Sequence, residues 1–177
     1  DLGHANAILS LGTRLMKGEG IAQDKKKAFE LFKRVADMGN TDAVNNLGLC
    51  YENGEGVSQD KNKAIEFLQR AAENGNINAM VNLGTCYKNG EGVPKDLKKA
   101  IELLQRATDM GYNDAIVNLG VCYDGEGIGQ DKKKAIELYQ RAADLGQTYA
   151  MVNLAFWYLK GLGVPQDKKK AIELYQR

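Results

Sequence analysis

Apolar residues fall three and four apart in short runs, and the runs come in pairs. Between Asp42 and Glu52, Ala43, Val44, Leu47 and Tyr51 take this spacing, which lines one face of an α-helix. Ala64, Phe67, Leu68 and Ala71 repeat it a little further on. The run NGEG, Asn53 to Gly56, separates the two, and its glycines reach positive φ at low cost. Asp60 suits an N-cap, its carboxylate accepting from amides of the first turn. Gly75 falls where a left-handed C-terminal cap belongs. The pattern therefore predicts a helix A from about Asp42 to Glu52 and a helix B opening after Asp60. Glu66 and Arg70 stand four apart in the order that favours an ion pair, and the same pair recurs at 30/34, 102/106, 137/141 and 173/177.

The pair of helices is written five times. Leu11-Gly12 returns as Leu47-Gly48, Leu83-Gly84 and Leu119-Gly120, then altered as Leu154-Ala155. An aspartate after the glycine-rich run recurs at Asp24, Asp60, Asp96, Asp131 and Asp167, and an alanine follows at Ala28, Ala64, Ala100, Ala135 and Ala171. The period is 36 residues except for one repeat of 35. The missing residue lies in CYDGEG, where the siblings read CYENGEG and CYKNGEG, and a tolerated deletion marks a loop. One hairpin cannot bury its own apolar face, whereas stacked hairpins bury a continuous core. Gly48 and Ala43 are then needed to let helix B approach helix A, and Tyr51 to fill the gap between neighbouring repeats.

The consensus A…NLGxCYxxGEGV…D…KAIELxQRAADxG resembles the Sel1-like repeat, a relative of the tetratricopeptide repeat. The resemblance covers repeats at 1–40, 41–76, 77–112, 113–147 and 148–177, the last truncated. Departures are few: Leu15 replaces tyrosine in the first repeat, and Ala155 and Leu162 replace glycine and the loop glutamate in the fifth. The resemblance implies an all-α protein, an α/α superhelical solenoid of five helix-turn-helix repeats, acting as a scaffold that gathers partner proteins. The chain opens at Asp1 and stops at Arg177 inside a helical pattern, and it reads as a piece cut from a longer protein.

In the tetratricopeptide fold helix A lines a concave surface where peptides lie. On the side of helix A away from Leu47 and Tyr51 stand Asn45, Leu49 and Glu52, with Asn46 at the border. The counterparts of Asn45 are Leu9, Val81, Val117 and Val152; those of Leu49 are Thr13, Thr85, Val121 and Phe156. An isolated amphipathic helix is polar there, yet this strip grows apolar toward the C-terminus. It is either a groove for a partner or a seam buried between adjacent A helices. Asn46, Asn82, Asn118 and Asn153 precede Leu-Gly in four repeats, with Ser10 in the first. A carboxamide both donates and accepts, so it can hold a peptide backbone without reading its sequence. Alternatively each asparagine ties down its own repeat by bonding nearby backbone. The candidate partner-binding set is thus Asn46, Asn82, Asn118, Asn153, Leu49, Val81, Thr85, Val117, Val121, Val152 and Phe156.

Composition adds mainly exclusions. Of 177 residues 44% are hydrophobic and 27% charged, and the formal net charge is +1, which gives no bulk attraction to nucleic acid or an anionic membrane. No apolar run approaches the roughly 20 residues of a membrane span. Cys50, Cys86 and Cys122 hold one position in three successive repeats. Stacked helices lie about 8–10 Å apart, while a disulfide wants Cα atoms closer than about 7 Å, so neighbours are not expected to pair. Cysteine-rich secreted relatives carry two cysteines per repeat, whereas this chain has one; an odd count favours a reducing, cytoplasmic compartment. No His or Cys cluster supplies a metal site, and no cofactor is expected.

Helix B opens on KKK at 25–27, 132–134 and 168–170. This opposes the helix dipole, offset in part if Glu19, Glu55, Glu91 and Glu126 lie close. It forms a solvated convex face or a basic ridge for an acidic partner. GEGV lacks the strand and the Gly-Lys-Ser/Thr of a phosphate loop. Ser58-Gln59-Asp60-Lys61 matches Ser-x-x-Lys of penicillin-binding enzymes, but siblings carry Ala22, Pro94, Gly129 and Pro165 in place of the serine, and that hydrolase reading is the remote one. His4 is the only histidine. The expected function is noncatalytic: an adaptor binding a peptide or helix on the concave A-helix face. The alternative is an accessory domain positioning an enzyme or signalling domain elsewhere in the polypeptide. Self-association through uncapped ends is a further expectation.

Overall fold

The computed structural model describes residues 2–125 and 131–177. Glu126 and Gly129, named above, lie outside these. Among the described residues there are ten α-helices and no strand: α1 (Leu2–Lys17), α2 (Lys25–Asp37), α3 (Thr41–Asn53), α4 (Lys61–Glu73), α5 (Ile77–Asn89), α6 (Leu97–Asp109), α7 (Asp114–Asp124), α8 (Lys132–Asp144), α9 (Thr148–Lys160) and α10 (Lys168–Gln176). Odd-numbered helices are the A members and even-numbered ones the B members. Two compact bodies result, Asp1–Pro94 and Lys95–Arg177. In each body consecutive helices pack on one another.

The caps read from the sequence are present. Asp24, Asp60, Asp96, Asp131 and Asp167 each accept from the amide three residues on, opening the five B helices. Asn40 and Asn76 cap α3 and α5 in the same way. The Glu/Arg pairs do not behave as read. No described residues form an ion pair at these five positions; Arg70 instead lies over the Phe67 ring, 5.4 Å from its centroid. An exposed i,i+4 pair contributes only about 0.3–0.5 kcal/mol, so an aromatic face is a competitive partner.

Close approach is set by missing Cβ atoms. A Cβ on Gly12 would stand 2.7 Å from the Phe32 ring, one on Gly48 2.9 Å from Leu68, and one on Gly120 2.8 Å from the Tyr139 ring. These are the residues around which each B helix is buried. The fifth repeat has Ala155 at this place, and its B helix sits differently. Tyr175, the counterpart of buried Tyr139, is exposed, and Leu174 is buried in its stead.

Successive repeats are joined by the loop between A and B. Gly56 (φ +72°) rests against the Lys25 carbonyl and Phe29 of the preceding B helix, so closely that a Cβ there would overlap the carbonyl oxygen. Glu55 beside it accepts from Lys25 Nζ at 3.0 Å. Tyr51 bridges the same junction, edge-on to Phe29 and stacked on Phe67, with 5.5 Å between centroids in both cases. Gly92 repeats the contact on Lys61 and Ile65, and Gly163 on Lys132 and Ile136.

Gly75 (φ +83°) has open space around it. Gly75→Ala should therefore cost only the left-handed backbone strain, about 1–2 kcal/mol. Gly56→Ala adds an overlap and should cost about 1–3 kcal/mol more. Urea unfolding of the two variants measures the difference.

Candidate protein-binding site

The A helices of each body share a face, and the asparagines lie along it. In the first body the face belongs to α1, α3 and α5. Asn45 is buried, and its Oδ1 accepts from Asn82 Nδ2 of the next A helix at 3.0 Å. One of the four asparagines thus joins neighbouring repeats, a role the sequence reading did not foresee. Asn46 is half-buried and makes no side-chain hydrogen bond to any described residue. It lines a cavity of about 160 Å³ with Thr13, Met16, Phe32, Leu49 and Cys50, and with the charged side chains of Lys17 and Glu55. Thr13 and Thr85 turn their hydroxyls back to the carbonyls of Leu9 and Val81, at 3.0 and 2.9 Å. Leu49, Val81 and Thr85 are half-buried.

In the second body the face belongs to α7 and α9. Asn118 and Asn153 are half-buried, and neither makes a side-chain hydrogen bond to the described residues. None of these carboxamides binds nearby backbone, which was the alternative reading. Val117 and Val121 pack partly against the core, whereas Val152 and Phe156 on α9 are exposed, together with Tyr149. The apolar strip is therefore part seam and part open surface. At the N-terminal end of the face, neighbouring A helices are cross-tied. Asn76 Nδ2 donates to Asp42 at 2.7 Å, and Gln147 Nε2 donates to Asp114 at 3.1 Å. Both ties use the residue just ahead of the later helix to reach the first turn of the earlier one.

Electrostatics argue for inert cysteines. Cys50 and Cys86 are buried and form no disulfide. Burial first, and then the nearby Glu55, pushes the Cys50 thiol up to about 12. Burial, the charge of Glu52 and a hydrogen bond to it push Cys86 to about 12 as well. Cys122 is also buried. Among the described residues no group of three or more His, Cys, Asp or Glu could hold a metal ion. In the second body Asp124 accepts from the Tyr139 hydroxyl; burial raises the Asp124 carboxyl, while Lys132 and this bond oppose the rise.

The lysines opening the B helices are not a bare ridge. Lys25 meets Glu55, Lys134 lies 4.5 Å from the centroid of the Tyr123 ring, and Lys170 donates to the Tyr158 hydroxyl at 2.8 Å. Ser58 is exposed and makes no hydrogen bond to Lys61 or any other described residue. His4 is exposed on α1.

The sequence profile of the Sel1 repeat matches residues 5–40, 41–76, 77–112, 113–147 and 148–177. The chain belongs to the Sel1 repeat family. Sel1 repeat proteins typically mediate protein–protein interaction, and the fold is generally a noncatalytic α-solenoid scaffold. A Sel1 repeat protein from Oxalobacter formigenes is 34% identical, with a TM-score of 0.88; the match covers 97% of this chain and 71% of that one. A protective antigen of uropathogenic Escherichia coli displaying an SLR fold is 32% identical, with a TM-score of 0.85, covering 99% of this chain and 38% of that one. The immunity protein Pa5087 from Pseudomonas aeruginosa, 22% identical with a TM-score of 0.65 over 98% of this chain and 64% of that one, shares the fold. No curated protein matches the chain at a significant level. No helix among the described residues is long and apolar enough to cross a membrane.

Two outcomes follow for this Sel1 array. Asn82→Ala strands the buried Asn45 oxygen and should cost about 1–3 kcal/mol, whereas Asn46→Ala removes no internal bond and should change stability by less than about 0.5 kcal/mol; thermal unfolding compares them. The thiols of Cys50 and Cys86 keep their protons in the folded state to about pH 12 but would lose them near 9 once unfolded. Their contribution to stability is thus complete below pH 9 and lost as pH rises from 9 toward 12. Iodoacetamide at pH 8 should label both only after denaturant is added.

Proposed function

We propose that this Sel1 array is a noncatalytic adaptor that holds an extended segment or a helix of a partner protein on the A-helix face of each of its two bodies. The observation that carries the reading is the state of three carboxamides. Asn46 on the A-helix face of the first body, and Asn118 and Asn153 on that of the second, are half-buried, and the fold uses none of them as a hydrogen-bonding group. Each can give an N–H and accept one, the pair of bonds a peptide backbone needs. Leu49, Val81, Thr85, Val117, Val121, Val152 and Phe156 flank them and would cover the apolar side chains of the ligand. Asn82 is a different rung, with its Nδ2 committed to Asn45 and its Oδ1 left to accept.

The single array of five repeats would serve as one module of a longer protein, since the match covers only 38% of the Escherichia coli antigen. In that setting either face would position a neighbouring domain.

The test uses peptides selected from a random library on the full chain. The triple variant Asn46→Ala, Asn118→Ala, Asn153→Ala should keep its melting temperature and lose affinity at least about tenfold, because each net hydrogen bond contributes about 0.5–1.5 kcal/mol. Unchanged affinity in a folded triple variant would rule out this face as the site.

A further inference from the structure

In the first body the A helices meet in two different ways, and the difference leaves a cavity. Between α3 and α5 the junction is closed by polar contacts. Asn45 Oδ1 accepts from Asn82 Nδ2 at 3.0 Å, and Glu52 Oε1 accepts from the Cys86 thiol at 3.7 Å. Between α1 and α3 the places of Asn45 and Glu52 are held by Leu9 and Met16. A leucine side chain has no acceptor and a thioether only a weak one, so Asn46 and Cys50 lack the mates that Asn82 and Cys86 have. The cavity of about 160 Å³ described above lies at this junction.

Its walls define what fits. An apolar cavity of about 150 Å³ takes a benzene molecule. Phe32 offers its ring to a second ring. Met16 and Cys50 offer sulfur, which makes favourable contacts with aromatic groups. The Cys50 thiol stays neutral, because burial first and then Glu55 push it up to about 12. The two charged side chains on the wall are paired with groups elsewhere: Glu55 accepts from Lys25 Nζ at 3.0 Å, and Lys17 lies 3.5 Å from Glu19. Neither calls for a charged occupant. Asn46 is half-buried on the same wall, and among the described residues its carboxamide has no hydrogen-bond partner. It can both give and accept a bond, as a peptide backbone requires.

We propose that this cavity is the pocket for one phenylalanine side chain of the bound partner segment, with the backbone of the same residue held by Asn46. The proposal rests on the peptide-binding reading above and adds a side-chain preference to it. The α1–α3 junction would select the residue placed there. The α3–α5 junction, closed by the Asn45–Asn82 and Glu52–Cys86 contacts, would not.

The probe is N-acetyl-phenylalanine N-methylamide, one residue with a peptide group on each side, and its glycine analogue is the control. Met16 lines the cavity, whereas Met38 and Met110 are exposed and Met80 and Met151 are buried elsewhere. In the full chain with isotope-labelled methionine methyl groups, the phenylalanine probe should shift the Met16 signal in the nuclear magnetic resonance spectrum and saturate at about millimolar concentration. The glycine analogue should leave that signal in place. Met16→Glu puts a carboxylate where Glu52 stands in the next junction. It should keep the helical circular dichroism and weaken the probe at least about tenfold, followed by broadening of the probe's own ring signals. A Met16 signal indifferent to the phenylalanine probe overturns the proposal. So does an equal response to the glycine analogue, or undiminished binding by the folded Met16→Glu variant. Asn46→Ala separates the pocket from the reading it rests on, and should weaken the probe about two- to tenfold. If Met16→Glu abolishes binding while Asn46→Ala leaves it unchanged, the side-chain pocket stands and the backbone-holding role of Asn46 is overturned.

Discussion

Close backbone contact without an intervening Cβ holds this array together, and it operates at two levels. Within a repeat, Gly12, Gly48 and Gly120 let a leucine or aromatic ring of helix B lie directly on helix A. Between repeats, Gly56, Gly92 and Gly163 let a loop lie directly on the preceding B helix. A hairpin of two thirteen-residue helices has more apolar surface than it can cover alone, and only neighbours at this range remove the rest from water. The methyl group of Ala155 is accompanied by the exchange of Tyr175 for Leu174 in the core of the last repeat.

The same constraint explains why polar groups survive on the A-helix face. Where stacking buries a carboxamide, as at Asn45 and Asn76, another side chain satisfies it, because an unpaired buried amide costs about 1–3 kcal/mol. Where the face stays partly open, at Asn46, Asn118 and Asn153, water can serve and no internal partner is provided. A surface of this kind is stable when free and loses little on exchanging water for a peptide backbone. The buried, high-pKa thiols of Cys50 and Cys86 contribute volume rather than chemistry there. The small net charge of +1 gives no bulk pull toward polyanions.

Much of the fold was legible. The period, the aspartate caps and the left-handed glycine at 75 are local features, each decided by a few neighbouring backbone groups. The role of Tyr51 between repeats was legible too, since a large side chain at a fixed place in every repeat needs a fixed gap. The candidate face was legible only in outline. Asn82 and Asn118 both stand in Val-Asn-Leu-Gly, yet Asn82 is tied to Asn45 of the preceding repeat, whereas the repeat before Asn118 has Val81 in the place of Asn45. Glu66 and Arg70 satisfy every spacing rule for an ion pair and do not form one; the guanidinium lies over the Phe67 ring instead. The lysines that open the B helices fit either a solvated face or a basic ridge by sequence, and those at 134 and 170 close on tyrosines of their own repeats.

Sequence alone determined that this is an all-α chain of five Sel1 repeats, with helix starts, stops and loop glycines at their places. These depend on interactions between residues a few positions apart, which spacing records. Tertiary structure decided which side chains of the A-helix faces are consumed by stacking and which remain available. Those outcomes depend on pairs some 36 residues apart whose atoms meet within a few ångströms. A periodic sequence makes all such pairs look alike until packing tells them apart.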